Sequence, residues 1–109
     1  MSKINAAITA VHGKVPEKVL SNFDLEKMVD TNDEWITTRT GIKERRIVSN
    51  GETLSDLGAE VVKIICEKRG VSPLEIDLII VGTVTSDHRF PSSSNLICHK
   101  SGATNAWGY

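Results

Sequence analysis

The side chains best suited to chemistry in this sequence are an indole and a guanidinium. They belong to Trp35 and Arg39, which stand four residues apart. On a helix this spacing places both side chains on one face. An indole can stack on a flat base, and a guanidinium can take two phosphate oxygens at once. The pair is therefore suited to a nucleotide ligand, and the alternative is a surface cation–π pair that only stiffens its helix.

A short helix is expected to position this pair. Thr31 is followed three residues later by Glu34, which is the spacing of a capping box, and this predicts that the helix begins there. Gly41 can adopt a left-handed conformation without steric cost and predicts the end of the helix. The basic residues between Arg39 and Arg46 offer a local attraction for phosphate, although most charge runs are only solvated surface.

Composition restricts the classes of partner. The chain has 109 residues, of which 13 are basic and 14 acidic, so its net charge is -1. Such a chain has no general attraction to nucleic acid or to an anionic membrane, and we expect neither as a partner. It has no apolar stretch long enough to span a bilayer and no signal-peptide pattern, which predicts a cytoplasmic protein. Cys66 and Cys98 lack metal-ligand spacing, so we expect buried thiols and no metal site.

Helices are also predicted on both sides of this segment. Ser21 or Asn22 can cap an earlier helix, whose buried face would be Leu25, Met28 and Val29. The longest helix should start after Thr53 and end before Gly70. Its apolar residues fall on one stripe: Leu54, Leu57, Val61, Ile64 and Ile65. Ser72-Pro73 predicts a single helical turn, and Pro91 with the serines after it predicts a helix that ends at Gly102.

Strands are predicted from apolar runs. Residues 4–12 read as a covered strand, and residues 77–85 read as a central strand buried on both faces. Beyond Gly41, residues 42–48 look like a short strand or hairpin arm with basic side chains outward. A strand, a helix and a strand in this order imply a right-handed βαβ crossover. Polar residues at 85–89 follow the second strand, where open α/β sheets place their binding crevices. Residues 105–109 resemble a last strand, and we expect the chain to be cut there.

Several segments, taken in order, resemble one enzyme family, β-ketoacyl-acyl-carrier-protein synthase III. They are Asp24-Leu25-Glu26-Lys27-Met28-Val29-Asp30-Thr31, Asp33-Glu34-Trp35-Ile36, Arg39-Thr40-Gly41-Ile42, Glu44-Arg45 and Phe90-Pro91-Ser92. The resemblance covers essentially the whole chain and corresponds to the N-terminal third of the enzyme. It implies an α/β thiolase-like fold, layered α/β/α/β/α in the intact homodimeric enzyme. Residues 1–109 would form most of the N-terminal half, incomplete at the C-terminal end.

The same resemblance implies a function. Members of the family start type II fatty acid synthesis: they move an acyl group, usually acetyl, from acyl-coenzyme A to a cysteine and condense it with malonyl-acyl carrier protein. Acyl-coenzyme A is a substrate, and no prosthetic group is expected. By resemblance Trp35 and Arg39 contact coenzyme A, and Thr31 lies at the same site. Phe90 would lie at the dimer interface and reach the partner subunit's acyl pocket; the alternative is an ordinary core aromatic.

The catalytic residues are expected elsewhere. The family's cysteine, histidine and asparagine lie beyond Tyr109, neither Cys66 nor Cys98 matches the cysteine motif, and no residue here is assigned a catalytic role. The chain by itself is therefore predicted to be inactive. Two alternatives remain open. One is a thiolase-superfamily acyltransferase or condensing enzyme of secondary metabolism, and the other is a non-catalytic truncated fragment.

Overall fold

A computed structural model describes residues 3–109 and divides them into two compact units. Residues 15–52 form the small unit, and residues 3–14 with 53–109 form the large unit. The small unit contains β1 (Lys18–Ser21), α1 (Asn22–Glu26), α2 (Asp33–Thr40) and β2 (Glu44–Ile47). The large unit contains α3 (Leu54–Arg69), a 3-10 turn (Pro73–Glu75), β3 (Leu78–Ile79), α4 (Ser93–Ser101) and β4 (Trp107–Gly108).

In the small unit two short helices lie along the chain between the two strands of an antiparallel pair. β1 and β2 pair with Leu20 opposite Arg45. The predicted strand arm after Gly41 is confirmed as β2, whereas β1 was not predicted. Helix α1 starts with a capping box between Ser21 and Asp24, which confirms Ser21 as its cap.

The predicted buried face of α1 is wrong for two of its three residues. The helix ends at Glu26, so Met28 and Val29 lie beyond it, and both side chains are exposed. A helix of a single turn cannot carry the i, i+3 and i+4 stripe that the sequence pattern assumed.

The large unit contains a short parallel strand pair joined through a helix. Leu78 of β3 lies opposite Trp107 of β4, and α4 connects the two strands along the chain. The backbone N–H of Tyr109 donates to the carbonyl of Ile79, and the N–H of Val81 donates to the carbonyl of Tyr109, at 2.9 and 2.8 Å. Parallel strands linked by a helix place this unit in the α/β class, as predicted.

Of two strand predictions, the one at 4–12 is wrong and the one at 77–85 is wrong in extent. Residues 4–12 form no strand within the described chain, and Ile4 and Ile8 are exposed there. The strand predicted at 77–85 is reduced to β3, and Leu78 and Ile80 are also exposed. The apolar patterns are present, but a strand needs a ladder partner, and within the described residues β3 pairs only with β4 over two positions.

The helices of the large unit have the predicted ends. Thr53 and Asp56 form a capping box at the start of α3, and Gly70 ends it in a left-handed conformation. Ser92 caps α4, which ends at Gly102. Helix α3 packs against α4. The buried residues of α3 are the small ones, Ser55, Ala59 and Cys66, whereas the predicted apolar stripe is only half-buried.

Candidate functional site

Helix α2 presents the Trp35–Arg39 pair, but it begins one residue later than predicted. Its N-cap is Asn32, whose Oδ1 accepts the backbone N–H of Trp35 at 2.7 Å. The predicted capping box of Thr31 and Glu34 is therefore wrong, because the neighbouring asparagine is at least as good a cap as threonine. The end of the helix is as predicted: Gly41 has φ 70° in the left-handed region.

The two side chains of the pair meet on one face, as their spacing predicted. The Cζ atom of Arg39 lies 5.0 Å from the centroid of the Trp35 ring system. The indole is 54% exposed, so much of its surface is open to a ligand. Trp35 and Arg39 border a shallow surface depression together with Asn32, Glu34 and Thr38.

Thr31 lies next to the same indole. A second depression is lined by Asp30, Thr31, Asn32 and Trp35. The structure therefore places Trp35 between the two depressions, with Arg39 in one and Thr31 in the other. The carboxylates of Asp30 and Glu34 also line them, so an anionic group is favoured mainly beside Arg39.

Only part of the basic run is available to an anion. The guanidinium of Arg45 donates to the carbonyl of Leu20, and that of Arg46 donates to the carbonyls of Pro16 and Glu17. Within the described residues neither Arg39 nor Lys43 forms an ion pair. Arg39 is therefore the cation of this run best placed to bind phosphate oxygens beside an aromatic ring.

A buried asparagine, which no sequence pattern indicated, contacts the back of this helix. Asn22 is completely buried, and its Nδ2 donates to Asp33 Oδ1 and to the carbonyl of Ile42, both at 2.8 Å. Its Oδ1 accepts from Nη2 of Arg45 at 2.9 Å. In the sequence Asn22 was only an alternative cap for α1, and no local pattern indicated that it is buried.

Phe90 lies in the large unit, in the loop between β3 and α4. Its side chain is 88% exposed within the described residues. The predicted polar loop at the carboxyl end of β3 borders a depression: Ser86, His88 and Arg89 line it with the first residues of α4.

Asp87 anchors this loop to α3. Its carboxylate accepts the backbone N–H of Ser55 at 3.1 Å, and its own N–H donates to Ser93 Oγ at 3.3 Å. Burial alone raises the pKa of Asp87, but the hydrogen bonds from Ser55 and Leu54, with help from Lys100, leave that pKa below its usual range. The carboxylate is therefore ionised at neutral pH and stabilises the start of α3.

Known proteins are similar to this chain in both sequence and fold. A β-ketoacyl-[acyl-carrier-protein] synthase III of Koribacter versatilis is 52% identical over 104 residues, which are 95% of this chain and 31% of that protein. The chain is homologous to β-ketoacyl-[acyl-carrier-protein] synthase III. It spans about a third of the length of the curated synthases that it matches. No protein-family profile matches it.

Solved synthase structures confirm the predicted fold. The 3-oxoacyl-[acyl-carrier-protein] synthase III of Aquifex aeolicus superposes with a TM-score of 0.82 and 47% identity, over 87% of this chain and 30% of that one. The priming β-ketosynthase of the R1128 polyketide pathway gives a TM-score of 0.81 and 40% identity, over 88% of this chain and 29% of that one. The chain thus has the thiolase-like α/β fold of the corresponding part of these synthases.

The two cysteines lack the features of an activated nucleophile. Cys66 and Cys98 are both free and buried. Burial raises the pKa of the Cys66 thiol, with a contribution from the charge of Glu75, and burial also raises the pKa of Cys98. Since the thiolate is the reactive form, neither residue is activated at neutral pH.

The described residues contain no cluster of side chains that could hold a metal ion. Among them there is also no helix with the length and apolar character needed to cross a membrane.

Proposed function

We propose that this chain supplies the coenzyme A-binding helix of a β-ketoacyl-acyl-carrier-protein synthase III. That enzyme transfers an acyl group, usually acetyl, from acyl-coenzyme A to a cysteine and condenses it with malonyl-acyl carrier protein to start fatty acid synthesis. The observation that carries the proposal is the exposed Trp35–Arg39 pair, whose guanidinium lies 5.0 Å from the indole at the edge of a surface depression. Acyl-coenzyme A is the substrate, and no prosthetic group takes part.

The pair divides the recognition of coenzyme A between its two chemical parts. The exposed face of Trp35 stacks on the adenine ring, since every base offers a π-face to an aromatic side chain. Arg39 donates two parallel hydrogen bonds to phosphate oxygens, which a lysine cannot do. Thr31 lines the second depression with Trp35 and offers a hydroxyl to the same ligand.

The condensation step needs groups that these residues do not supply. A Claisen condensation through an acyl-enzyme requires an activated nucleophile and donors that stabilise the developing oxyanion. Cys66 and Cys98 are buried thiols with raised pKa values. We therefore assign the catalytic cysteine, histidine and asparagine to sequence outside these 109 residues, and we expect the chain alone to bind substrate without turnover.

Phe90 supports the homodimeric assembly that we propose for the intact enzyme. An exposed phenylalanine next to a proline offers apolar surface to another subunit, where it would border the acyl pocket. The malonyl-acyl carrier protein partner and the cytoplasmic location remain predictions.

A second candidate keeps the fold and changes the pathway. The likeness to a priming β-ketosynthase of polyketide synthesis, at 40% identity, favours a condensing enzyme of secondary metabolism. The 52% identity to the Koribacter versatilis synthase III favours the first proposal. Comparing acyl-carrier proteins from the two kinds of pathway as acceptors for the intact enzyme distinguishes these candidates.

Isothermal titration calorimetry with coenzyme A tests the proposed site. We expect Trp35→Ala to weaken binding by about 1–3 kcal/mol, because it removes one aromatic–base stack. Arg39→Lys should also weaken binding, since a point charge cannot reproduce the bidentate fork.

Matched controls come from the large unit. Trp107 is an exposed indole, and Arg69 is an exposed arginine at the end of α3. Trp107→Ala and Arg69→Lys should leave the affinity unchanged. Equal affinities of wild type and Trp35→Ala would contradict the proposal.

A further inference from the structure

Asn22 is the most completely buried polar side chain of the small unit, and its contacts are specific. None of its surface is exposed. The acceptors Asp33 Oδ1 and the Ile42 carbonyl lie on the Nδ2 side of the amide, and the Arg45 guanidinium lies on the Oδ1 side. This arrangement fixes the orientation of the amide, since only nitrogen can donate and only oxygen can accept.

These hydrogen bonds hold helix α2 at both of its ends. Asp33 is the first residue of the helix, and Ile42 follows Gly41, which ends it. A third, longer contact of 3.3 Å joins Asn22 Nδ2 to Thr37 Oγ1 in the middle of the helix. The backbone N–H of Asn22 also donates to the carbonyl of Lys43 at 3.0 Å. One buried residue therefore contacts the start and the middle of α2 and the chain just after its end.

The Asn22 contacts lie on the face of α2 opposite the candidate ligand pair. Asp33 and Thr37 precede Trp35 and Arg39 by two residues each. Two residues correspond to a rotation of about 200° around a helix. The hydrogen bonds of Asn22 thus hold the back of the helix and leave the indole and the guanidinium facing outward.

Helix α2 has few other contacts, and one of them is the hydrogen bond that the backbone N–H of Asp33 donates to the Glu26 carboxylate at 2.6 Å. It contains eight residues, and its one buried side chain is Ile36. Helices of this length are marginal in water unless tertiary contacts stabilise them. The guanidinium of Arg45, which donates to Asn22 Oδ1, also donates a hydrogen bond to the carbonyl of Leu20 in β1. The polar contacts of Asn22 therefore link α2 to the strand pair.

We propose that Asn22 is the positioning residue of the coenzyme A site: its buried amide docks α2 so that Trp35 and Arg39 face the ligand together. This inference rests on the proposed function. Asn22 does not touch the ligand and acts only through α2.

The substitution Asn22→Asp tests this role with almost no change of shape. An aspartate cannot donate to Asp33 Oδ1 or to the Ile42 carbonyl, and it places a second carboxylate against Asp33. We expect the affinity for coenzyme A to fall about tenfold, as for the loss of one or more buried hydrogen bonds. We also expect loss of the ring-current shift that the Trp35 indole imposes on the Arg39 side-chain protons, measured by NMR without ligand.

A rescue variant and a stability control separate positioning from general destabilisation. The double variant Asn22→Asp with Asp33→Asn restores a donor–acceptor pair between these positions and should recover part of the affinity. Ser55 is also completely buried, but it lies in the large unit and hydrogen-bonds to Lys100. Ser55→Ala should lower the free energy of unfolding and leave both the affinity and the ring-current shift unchanged.

The outcomes are distinguishable. Wild-type affinity and an unchanged ring-current shift in Asn22→Asp would overturn the positioning role, as would an equal loss of affinity in Ser55→Ala. If the wild-type chain bound no coenzyme A, the proposed function would fail; the ring-current shift would then decide alone whether Asn22 orients the pair.

Discussion

Two apolar residues of the large unit, Phe90 and Ile97, differ in how far their side chains are buried. Phe90 is 88% exposed, whereas Ile97 in α4 is 4% exposed. Because apolar burial is the main source of stability, a side chain that stays in water contributes little to folding. Phe90 therefore presents apolar surface to solvent within the described residues, and Ile97 belongs to the core.

Truncating these two residues should give different results. We expect Phe90→Ala to change the free energy of unfolding by less than about 0.5 kcal/mol, as for an ordinary surface position. Ile97→Ala should lower it by about 2–5 kcal/mol, the range for a truncated core residue. Urea denaturation of both variants measures the difference. Comparable losses of stability in the two variants would assign Phe90 to the core.

In the intact enzyme Phe90→Ala should also alter the preferred acyl chain length.

At the residue scale, local spacing predicts some contacts and not others. Trp35 and Arg39 share a face because a helix brings residues four apart together, so the sequence alone contains that information. The partners of Asn22 are 11, 20 and 23 residues away. Contacts of that range depend on how the elements pack, which no sequence pattern around Asn22 indicates. The contact between Trp35 and Arg39 was therefore predictable, and the buried contacts of Asn22 were not.

At the scale of elements, the start of α3 depends on a charged cluster. Lys100 of α4 donates from Nζ to Asp56 Oδ1 at 2.7 Å and to Ser55 Oγ at 2.6 Å. The pKa of Asp56 is lowered from its ordinary value of 3.8 to about 2. The largest cause is the hydrogen bond from Lys100, followed by the hydrogen bonds with Thr53. The same contacts join α3 to α4.

This cluster makes part of the stability dependent on pH. The folded pKa of Asp56 is depressed, so its stabilising contribution is present above pH 3.8 and is lost as the pH falls through about 2. Asp56→Asn should therefore be less stable than wild type at pH 6, and the difference should shrink steadily towards pH 2. Denaturation of both proteins across this range measures the effect. A difference that stayed constant with pH would show that the charge of Asp56 does not contribute.

The close approach of β4 to α4 depends on a glycine. A Cβ atom at Gly108 would lie 2.8 Å from the backbone nitrogen of Asn95 and 3.0 Å from the carbonyl carbon of Ser94. Backbone atoms cannot move aside as a flexible side chain can. We expect Gly108→Ala to lower the free energy of unfolding by about 1–3 kcal/mol, the usual cost of overpacking.

Gly82 provides the matched control for that substitution. A Cβ atom there would meet nothing within 4 Å. Gly82→Ala should be neutral or slightly stabilising in the same denaturation experiment, because alanine restricts the unfolded chain more than glycine does. Equal stability of the two variants would contradict the close approach of β4 to α4.

Helix ends were predicted more reliably than strands, and the reason is physical. Caps such as Ser21 and Thr53 act within three or four residues, so the sequence around them suffices. Helix α2 was misplaced by one residue because Thr31 and Asn32 are both good caps. The strands predicted at 4–12 and 77–85 depend on distant ladder partners, and a local apolar run does not reveal whether a partner is present.

At the scale of the whole molecule, the candidate ligand face and the two cysteines belong to different units. The chain spans about a third of its synthase relatives. The candidate ligand face lies entirely within residues 15–52, where Trp35 and Arg39 are found. The cysteines lie outside that range, and both are buried. We therefore expect a chain that recognises coenzyme A but does not catalyse condensation.

Incubation with labelled acetyl-coenzyme A tests the expected lack of catalysis. The purified chain should retain no covalent label, because burial keeps the thiols of Cys66 and Cys98 protonated. Mass spectrometry after proteolysis locates any acetyl group, and Cys66→Ser and Cys98→Ser serve as controls. Stable acetylation of either cysteine, followed by formation of a ketoacyl product, would show that the nucleophile lies within these residues.

Contact between Trp35 and the adenine ring is the most direct measure of the proposed site. In a nuclear Overhauser experiment on the chain with coenzyme A, we expect cross-peaks between the Trp35 indole protons and adenine H2 or H8. They should disappear in Trp35→Ala and persist in Trp107→Ala. Coenzyme A bound without such cross-peaks, or with cross-peaks to Trp107 instead, would contradict the assignment of α2 as the coenzyme A-binding helix.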